Sequence, residues 1–305
     1  MTNKNKGILF IILSALSFAL MSFFVKLSGD LPSMQKSFFR NIVALFFSIY
    51  IIKKSNISFR FKKENLIFLI ARATFGTLGI VFNYYAIENL ILSDATMLNK
   101  LSPFFVIIFS FFILKEKIKI WQILCIIISF LGSLFIINPT LIISALNGSF
   151  NFNFNNKAAL VGLLGAMSAG MAYTLVRLLS IRGEKGPFIV FFFSLFSCIA
   201  LLPFTILNFV AMDIKQVVFL LLAGVFASCG QFAITAAYSN APAREISIFD
   251  YSQVIFSGIL GYIAFNQKPD LYSFIVYFII CSVALFMFFI NNQFFKYFVF
   301  KNRHS

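Results

Sequence analysis

Residues 246–266 read ISIFDYSQVIFSGILGYIAFN and place Asp250, Tyr251 and Gln253 inside an otherwise apolar run. An acidic side chain near the centre of a membrane helix costs about 2.5–3.5 kcal/mol on insertion scales, so it normally faces a protein interior or a watery cavity. The chemistry open to it is electrostatic. Asp250 can bind a cationic group or carry a proton. The plainer alternative is a pair with a neighbouring helix. Further polar side chains occupy similar apolar runs: Arg40, Arg72, Asn83, Tyr84, Asn99, Lys100, Tyr173 and Gln231. With Asp250, Tyr251 and Gln253 they form the candidate substrate-binding set. The alternatives are interfacial anchoring for the arginines and interhelical hydrogen bonding for the neutral groups.

Covalent and metal chemistry have little to work with. His304, the only histidine, lies in the tail, and Cys125, Cys198, Cys229 and Cys281 each fall in an apolar run without metal-ligand spacing. They read as small buried hydrophobes rather than disulfides. No cofactor, metal or catalytic residue is expected. An intramembrane enzyme would want a nucleophile–base pair or a metal constellation, and the loops are too short for a soluble active site. No P-loop appears, which disfavours ATP-driven transport by this chain alone.

The candidate residues need elements that hold them at depth in a bilayer. The 305 residues are 60% hydrophobic and 11% charged, against about 25% charged in soluble domains. Apolar runs of about 20 residues recur along the chain, the signature of spanning helices. Ten segments emerge: 7–27, 34–52, 66–88, 93–114, 119–137, 158–180, 187–210, 216–238, 243–265 and 269–291. Lys4 and Lys6 before the first run resemble a signal peptide, but the run extends to about Lys26 and reads as an uncleaved first helix.

The net charge of +15 invites a nucleic-acid partner, yet the basic residues sit in short loops between apolar runs. With the N-terminus inside, fifteen Lys and Arg lie in inside segments and only Lys157, Lys215 and Lys268 outside. That is the positive-inside pattern, with both termini cytoplasmic. The expected partners are therefore a small-molecule substrate and membrane lipid, not nucleic acid. The 45 phenylalanines read as lipid-facing bulk.

Shifted by 151 residues, the chain matches itself without a gap. Ala15 meets Ala166, Ser17 meets Ser168, Phe75 meets Phe226, Gly79 meets Gly230 and Asn89 meets Asn240. The expected organisation is a first repeat over 1–140, a linker over 141–157, a second repeat over 158–292 and a basic cytoplasmic tail over 293–305. Five helices per half is an odd number, so the second half inserts upside down. The expected fold is an all-α polytopic membrane protein of ten transmembrane helices in two inverted five-helix repeats, a construction of many secondary transporters.

The same shift carries Lys26 onto Arg177, Asp94 onto Glu245 and Asn99 onto Asp250. Lys26–Asp94 and Arg177–Glu245 are expected as equivalent gating ion pairs, one at each mouth of a central pathway. The alternative is that Lys26 and Arg177 reach to lipid headgroups. Lys100 and Asp250 are expected about 10 Å apart along the membrane normal at 1.5 Å rise per residue. They would line one cavity and hold opposite ends of a zwitterion, pairing directly only if a helix breaks. Pro103 should bend the fourth segment and free carbonyls at that depth. Arg40 and Arg72 match Phe191 and Ala223, so they break the symmetry, as a site for an asymmetric solute would.

The stretches SDATMLNKLSPFFVIIFSFFILKEK at 93–117 and ISIFDYSQVIFSGILGYIAFNQKPD at 246–270 resemble the fourth and ninth helices of the drug/metabolite transporter superfamily, specifically its EamA-type members. In that family these helices usually end in Gly-Glu. Here Lys115-Glu116 and Asn266-Gln267 stand in their place, so the second copy lacks the acid. The resemblance spans residues 7–292. It implies a secondary carrier with a central cavity, peripheral fifth and tenth helices, and substrates such as amino acids, S-adenosylmethionine-like metabolites, vitamins or drugs. The leading expectation is a transporter of small polar or zwitterionic metabolites in a bacterial inner membrane. A proton is the candidate coupling ion, and uniport or exchange is equally allowed. An intramembrane enzyme, a scaffold and a channel are the competing readings.

Overall fold

The computed structural model describes residues 3–115, 118–137, 157–240 and 247–291, and the described secondary structure is helical throughout. The first half contains α1 (Asn3–Leu27), α2 (Ser33–Lys54), α3 (Leu66–Asn89), α4 (Leu92–Asn99), α5 (Ser102–Ile113) and α6 (Ile120–Ile137). The second contains α7 (Lys157–Ile181), α8 (Gly186–Leu207), α9 (Ile214–Asn240), a 3-10 turn at Ser247–Tyr251, α10 (Ser252–Phe265) and α11 (Leu271–Asn291). Helices thus occupy the apolar segments read from the sequence over their described residues. Six of them, counting α4 and α5 as one continuous apolar unit, are long and apolar enough to cross a membrane. The linker region 138–156 and the residues from 292 onward lie outside the described ones.

The side chains are sorted as in a membrane protein. Large apolar groups point outward, including Phe46, Ile67, Phe112, Ile199, Ile263 and Phe278. The interior holds small and polar residues such as Ser14, Ala19, Ser48, Ala73, Ala166, Ser194, Ala227 and Ser257. Lipid is as apolar as leucine, so close packing and hydrogen bonds hold such helices together rather than apolar burial. The closest approaches use glycine. A Cβ at Gly79 would meet the Ala169 amide at 3.2 Å, and one at Gly165 would meet the Asn83 amide at 3.2 Å. That lets α3 and α7 pack backbone to backbone.

The major interfaces run between the halves and come in matched sets. α1 packs on α9, and α7 packs on α3, which are the same joint under the 151-residue shift. α2 against α9 corresponds in the same way to α8 against α3. α2–α8 and α6–α11 pair with their own counterparts. α6 and α11 stand at the periphery. The loops repeat the pattern: Gln35 Nε2 donates to Val210 O at 2.9 Å, and the Val210 amide donates to Gln35 Oε1 at 3.0 Å. At the other end Glu184 Oε1 accepts from the Lys62 amide at 3.1 Å and from Asn65 Nδ2 at 2.7 Å.

Both halves depart from regular α-helix at the same register. The fourth segment breaks at Lys100 and Leu101, between α4 and α5; the ninth changes from 3-10 to α at Tyr251 and Ser252. Pro103 explains the first break, because it has no N–H to offer the preceding turn. The Phe104 amide turns to Leu101 O at 3.0 Å, which leaves Lys100 O free. Tyr251 fills that vacancy: its hydroxyl donates to Lys100 O at 3.0 Å. The C-terminal caps repeat too, since Lys115 (φ 54°) and Asn266 (φ 50°) are both left-handed. A glycine is the natural residue for such a cap.

Candidate functional site

A cavity between the halves collects ten of the eleven sequence-predicted substrate-binding residues. Arg40 comes from α2; Arg72, Asn83 and Tyr84 from α3; Asn99 and Lys100 from the first break; Tyr173 from α7; Gln231 from α9; Asp250 and Gln253 from the second break. Phe18, Met21, Gly76, Phe193 and Ile234 complete much of the wall. The eleventh residue, Tyr251, is a correction. It is buried beneath the break in the apolar cluster around Leu98, Leu101 and Phe104, and its hydroxyl is committed to Lys100 O. It shapes the wall instead of lining it.

The second correction concerns Lys100 and Asp250. They are not held apart: Lys100 Nζ donates to Asp250 Oδ2 at 2.6 Å, with both residues buried. The break after α4 places Lys100 against the 3-10 turn that carries Asp250. The helix ends favour the arrangement. Lys100 caps the C-terminus of α4, where the dipole is negative, and Asp250 precedes the N-terminus of α10, where it is positive. Asp250 Oδ1 is buried and has no hydrogen-bond partner among the described residues. Beside the pair, Asn99 Nδ2 donates to Asn83 Oδ1 at 3.2 Å.

One of the two expected gates, Lys26–Asp94, differs from expectation. Among the described residues Lys26 and Asp94 do not form an ion pair. Lys26 Nζ donates to Ile87 O and Leu90 O at the C-terminal end of α3, where exposed carbonyls offer a ready cation site. Asp94 accepts instead from the Tyr277 hydroxyl of α11. The ion pair at this end is Lys36–Glu88, at 2.8 Å, with Lys36 also donating to Gly29 O at 2.6 Å. Neither Lys36 nor Glu88 was singled out from the sequence, because both lie near segment ends where charge is ordinary. Arg177 is exposed, and Glu245 falls outside the described residues.

Arg72 and Arg40 flank the Phe193 ring, with guanidinium carbons 3.9 Å and 5.9 Å from its centroid. Phe193 was also missed, as one phenylalanine among many in α8. Gly76 makes this slot possible: a Cβ there would run into the Arg72 guanidinium and the Phe193 ring. The cavity holds about 90 Å³, against roughly 300–1,000 Å³ for typical ligand pockets. In this conformation it admits a few waters, and a metabolite requires the walls to part.

Fold and site together define an all-helical protein with a buried charged cavity between two matched halves. The model of the EamA-like transporter family matches residues 5–138 and again 156–289, an offset of 151 at both ends. The chain belongs to that family, within the drug/metabolite transporters. It is 29% identical over 271 residues to the pseudopaline exporter CntI of Pseudomonas aeruginosa, covering 87% of this chain and 90% of the exporter. It is 27% identical over 275 residues to human solute carrier family 35 member G1, covering 86% and 73%. A transporter of Helicobacter pylori with no assigned substrate is 27% identical over 289 residues, covering 92% and 93%. One crystal structure superposes with a TM-score of 0.64 over 95% of this chain and 97% of its own, at 14% identity, which shows a shared fold. The chain is thus a multi-pass membrane protein of a transporter family.

Proposed function

We propose that this protein is a secondary transporter of small polar organic metabolites, working by alternating access to the cavity between its halves. The observation that carries this reading is convergence: ten polar residues from both halves meet in one cavity, with Asn99 and Lys100 at one helix irregularity and Asp250 at its counterpart. Broken helices around a buried site are how transporters expose polar backbone at midplane depth. The pseudopaline exporter supports movement of a small metabolite.

In this reading the ten segments all span, and the repeats over 1–140 and 158–292 are inverted. The odd number of segments per half and the exchange of α1–α9 for α7–α3 support that arrangement. Both termini are cytoplasmic in a bacterial inner membrane, as the distribution of Lys and Arg favours. The halves rock against each other. The Gln35–Val210 contact parts at one mouth, and the Glu184 contacts with Lys62 and Asn65 part at the other. Asp250 and Lys100 are the working charges. Asp250 exchanges Lys100 for the substrate, or for a proton where transport is proton-coupled. The protein performs no covalent chemistry.

The test is counterflow in reconstituted liposomes with labelled amino acids, organic acids, S-adenosylmethionine and vitamins. Saturable exchange by the wild type, lost in Asp250→Asn, is expected. Flux that rises linearly with concentration would make the protein a pore. Exchange unchanged by Asp250→Asn would reduce the ion pair to a structural role.

A further inference from the structure

The charges on the cavity wall do not balance. Three cationic side chains, Arg40, Arg72 and Lys100, face one anionic side chain, Asp250. Lys100 and Asp250 cancel each other in the 2.6 Å pair. The two arginines are left over. Among the described residues neither meets a carboxylate, since the ion pairs are Lys36–Glu88 and Lys100–Asp250. Arg40 is 3% and Arg72 2% exposed, so bulk solvent does not make up the difference, and the small cavity has room for only a few waters. Arg40 Nη1 donates to Asn41 Oδ1 at 2.9 Å, but Arg40 Nε, Arg72 Nε and Arg72 Nη1 have no hydrogen-bond partner among the described residues. The shared Phe193 ring recovers only part of the lost hydration. A guanidinium does not escape by giving up its proton. Two buried, unpaired cations side by side are a standing cost to the empty protein. A dianionic occupant would remove it.

Two further unsatisfied atoms describe the rest of the occupant. The Tyr84 hydroxyl is buried on the same wall without a partner, and so is Asp250 Oδ1. Tyr84 can donate to an acidic oxygen, while Asp250 Oδ1 can only accept. We propose that the cavity binds a small organic solute with two acidic groups, held by Arg40 and Arg72, and a hydrogen-bond donor such as an amine, held by Asp250. Planar guanidinium forks suit carboxylates and phosphates alike. The shared chemistry is a pair of acidic groups, and the probes below separate the two sources. The inference rests on the transporter reading only in taking this cavity as the substrate site.

The test is ligand-dependent thermal stabilisation of the purified full chain at constant ionic strength. The probes are glutamate and succinate as dicarboxylates, glycerol 3-phosphate as a phosphate, butyrate as a monoacid, alanine as a zwitterion and lysine as a cation. At least one doubly acidic probe should stabilise the wild type saturably, with a midpoint about tenfold or more below that of butyrate or alanine. Lysine should have no effect. Arg40→Gln and Arg72→Gln should each raise the midpoint by about tenfold, and Arg72→Lys, a point charge without the fork, should rescue only partly. Arg72→Met should melt at or above the wild type when empty, because it removes an unpaired buried charge; a structural arginine would lower the melting temperature. Stabilisation by alanine or lysine in preference to every acid overturns the proposal. So does an acid effect that survives in both glutamine variants, or no acid effect in the millimolar range. Binding of a diacid without counterflow would defeat the transporter reading and leave this inference standing. Counterflow of alanine or lysine without diacid binding would do the reverse.

Discussion

Removing either member of the Lys100–Asp250 pair should cost far more stability than removing both. The two charges are 2.6 Å apart and both residues are under 5% exposed. At an effective dielectric of 20 their attraction is on the order of 6 kcal/mol, set against several kcal/mol of lost hydration for each ion. The pair is therefore near balance as a unit, but a lone survivor keeps its hydration cost without the attraction. Truncating one partner of a buried pair typically costs about 3–5 kcal/mol. With an unfolding entropy of about 2 cal/mol/K per residue, a chain of 305 residues loses about 1.5 °C of melting temperature per kcal/mol. Asp250→Asn and Lys100→Met should each melt about 5–8 °C below the wild type. The double variant should melt within about 2 °C of the wild type while failing in counterflow, because the working charges are gone. The assay is thermal unfolding of all four proteins in one detergent, followed by exchange in liposomes. Additive losses in the double variant would refute the coupling. A double variant that still transports would refute the assignment of the pair to the working centre.

Three other outcomes follow from the same geometry. Tyr251→Phe leaves Lys100 O unpaired inside the protein and should cost about 1–3 kcal/mol, read as a fall in melting temperature with ligand contacts intact. Gln267 Oε1 accepts the first amide of α4, from Leu92 at 3.1 Å, so Gln267→Ala should cost about 1 kcal/mol and Gln267→Glu almost nothing, measured by denaturation of the reconstituted protein. Lys115 is left-handed; Lys115→Gly should stabilise by about 0.5–1 kcal/mol, whereas Lys115→Val should destabilise by at least about 1 kcal/mol, and equal melting of the two variants would show that the cap is unstrained.

The Gln267 contact also accounts for a departure visible in the sequence. The family's usual Gly-Glu at this helix end is Asn266-Gln267 here. The first position needs a residue that tolerates a left-handed backbone, and asparagine does. In this structure the second position supplies an oxygen to the α4 N-terminus. An amide oxygen performs that task without a charge.

Much of the site was legible because a bilayer penalises polar atoms. Each of Arg40, Arg72, Asn83, Tyr84, Asn99, Lys100, Tyr173, Gln231, Asp250 and Gln253 stands out against its apolar run, and all ten reach one cavity. Tyr251 stood out for the same reason and went elsewhere. Polarity states that a group needs a partner, not whether the partner is a ligand or a carbonyl. Lys36, Glu88 and Phe193 escaped notice because segment-end charges and one more phenylalanine carry no such penalty.

The chain by itself determines the membrane environment, the helical segments and the repeat, because hydropathy, length and a constant 151-residue offset are properties of linear order. Tertiary structure alone decided that Lys100 and Asp250 meet at 2.6 Å, that Lys26 serves α3 carbonyls rather than Asp94, and that Arg40 and Arg72 share Phe193 without a counter-ion among the described residues. A charge in a sequence has a sign and a depth. Its partner depends on where a neighbouring helix breaks and which carbonyls the break releases, and those are settled only when the two halves pack together.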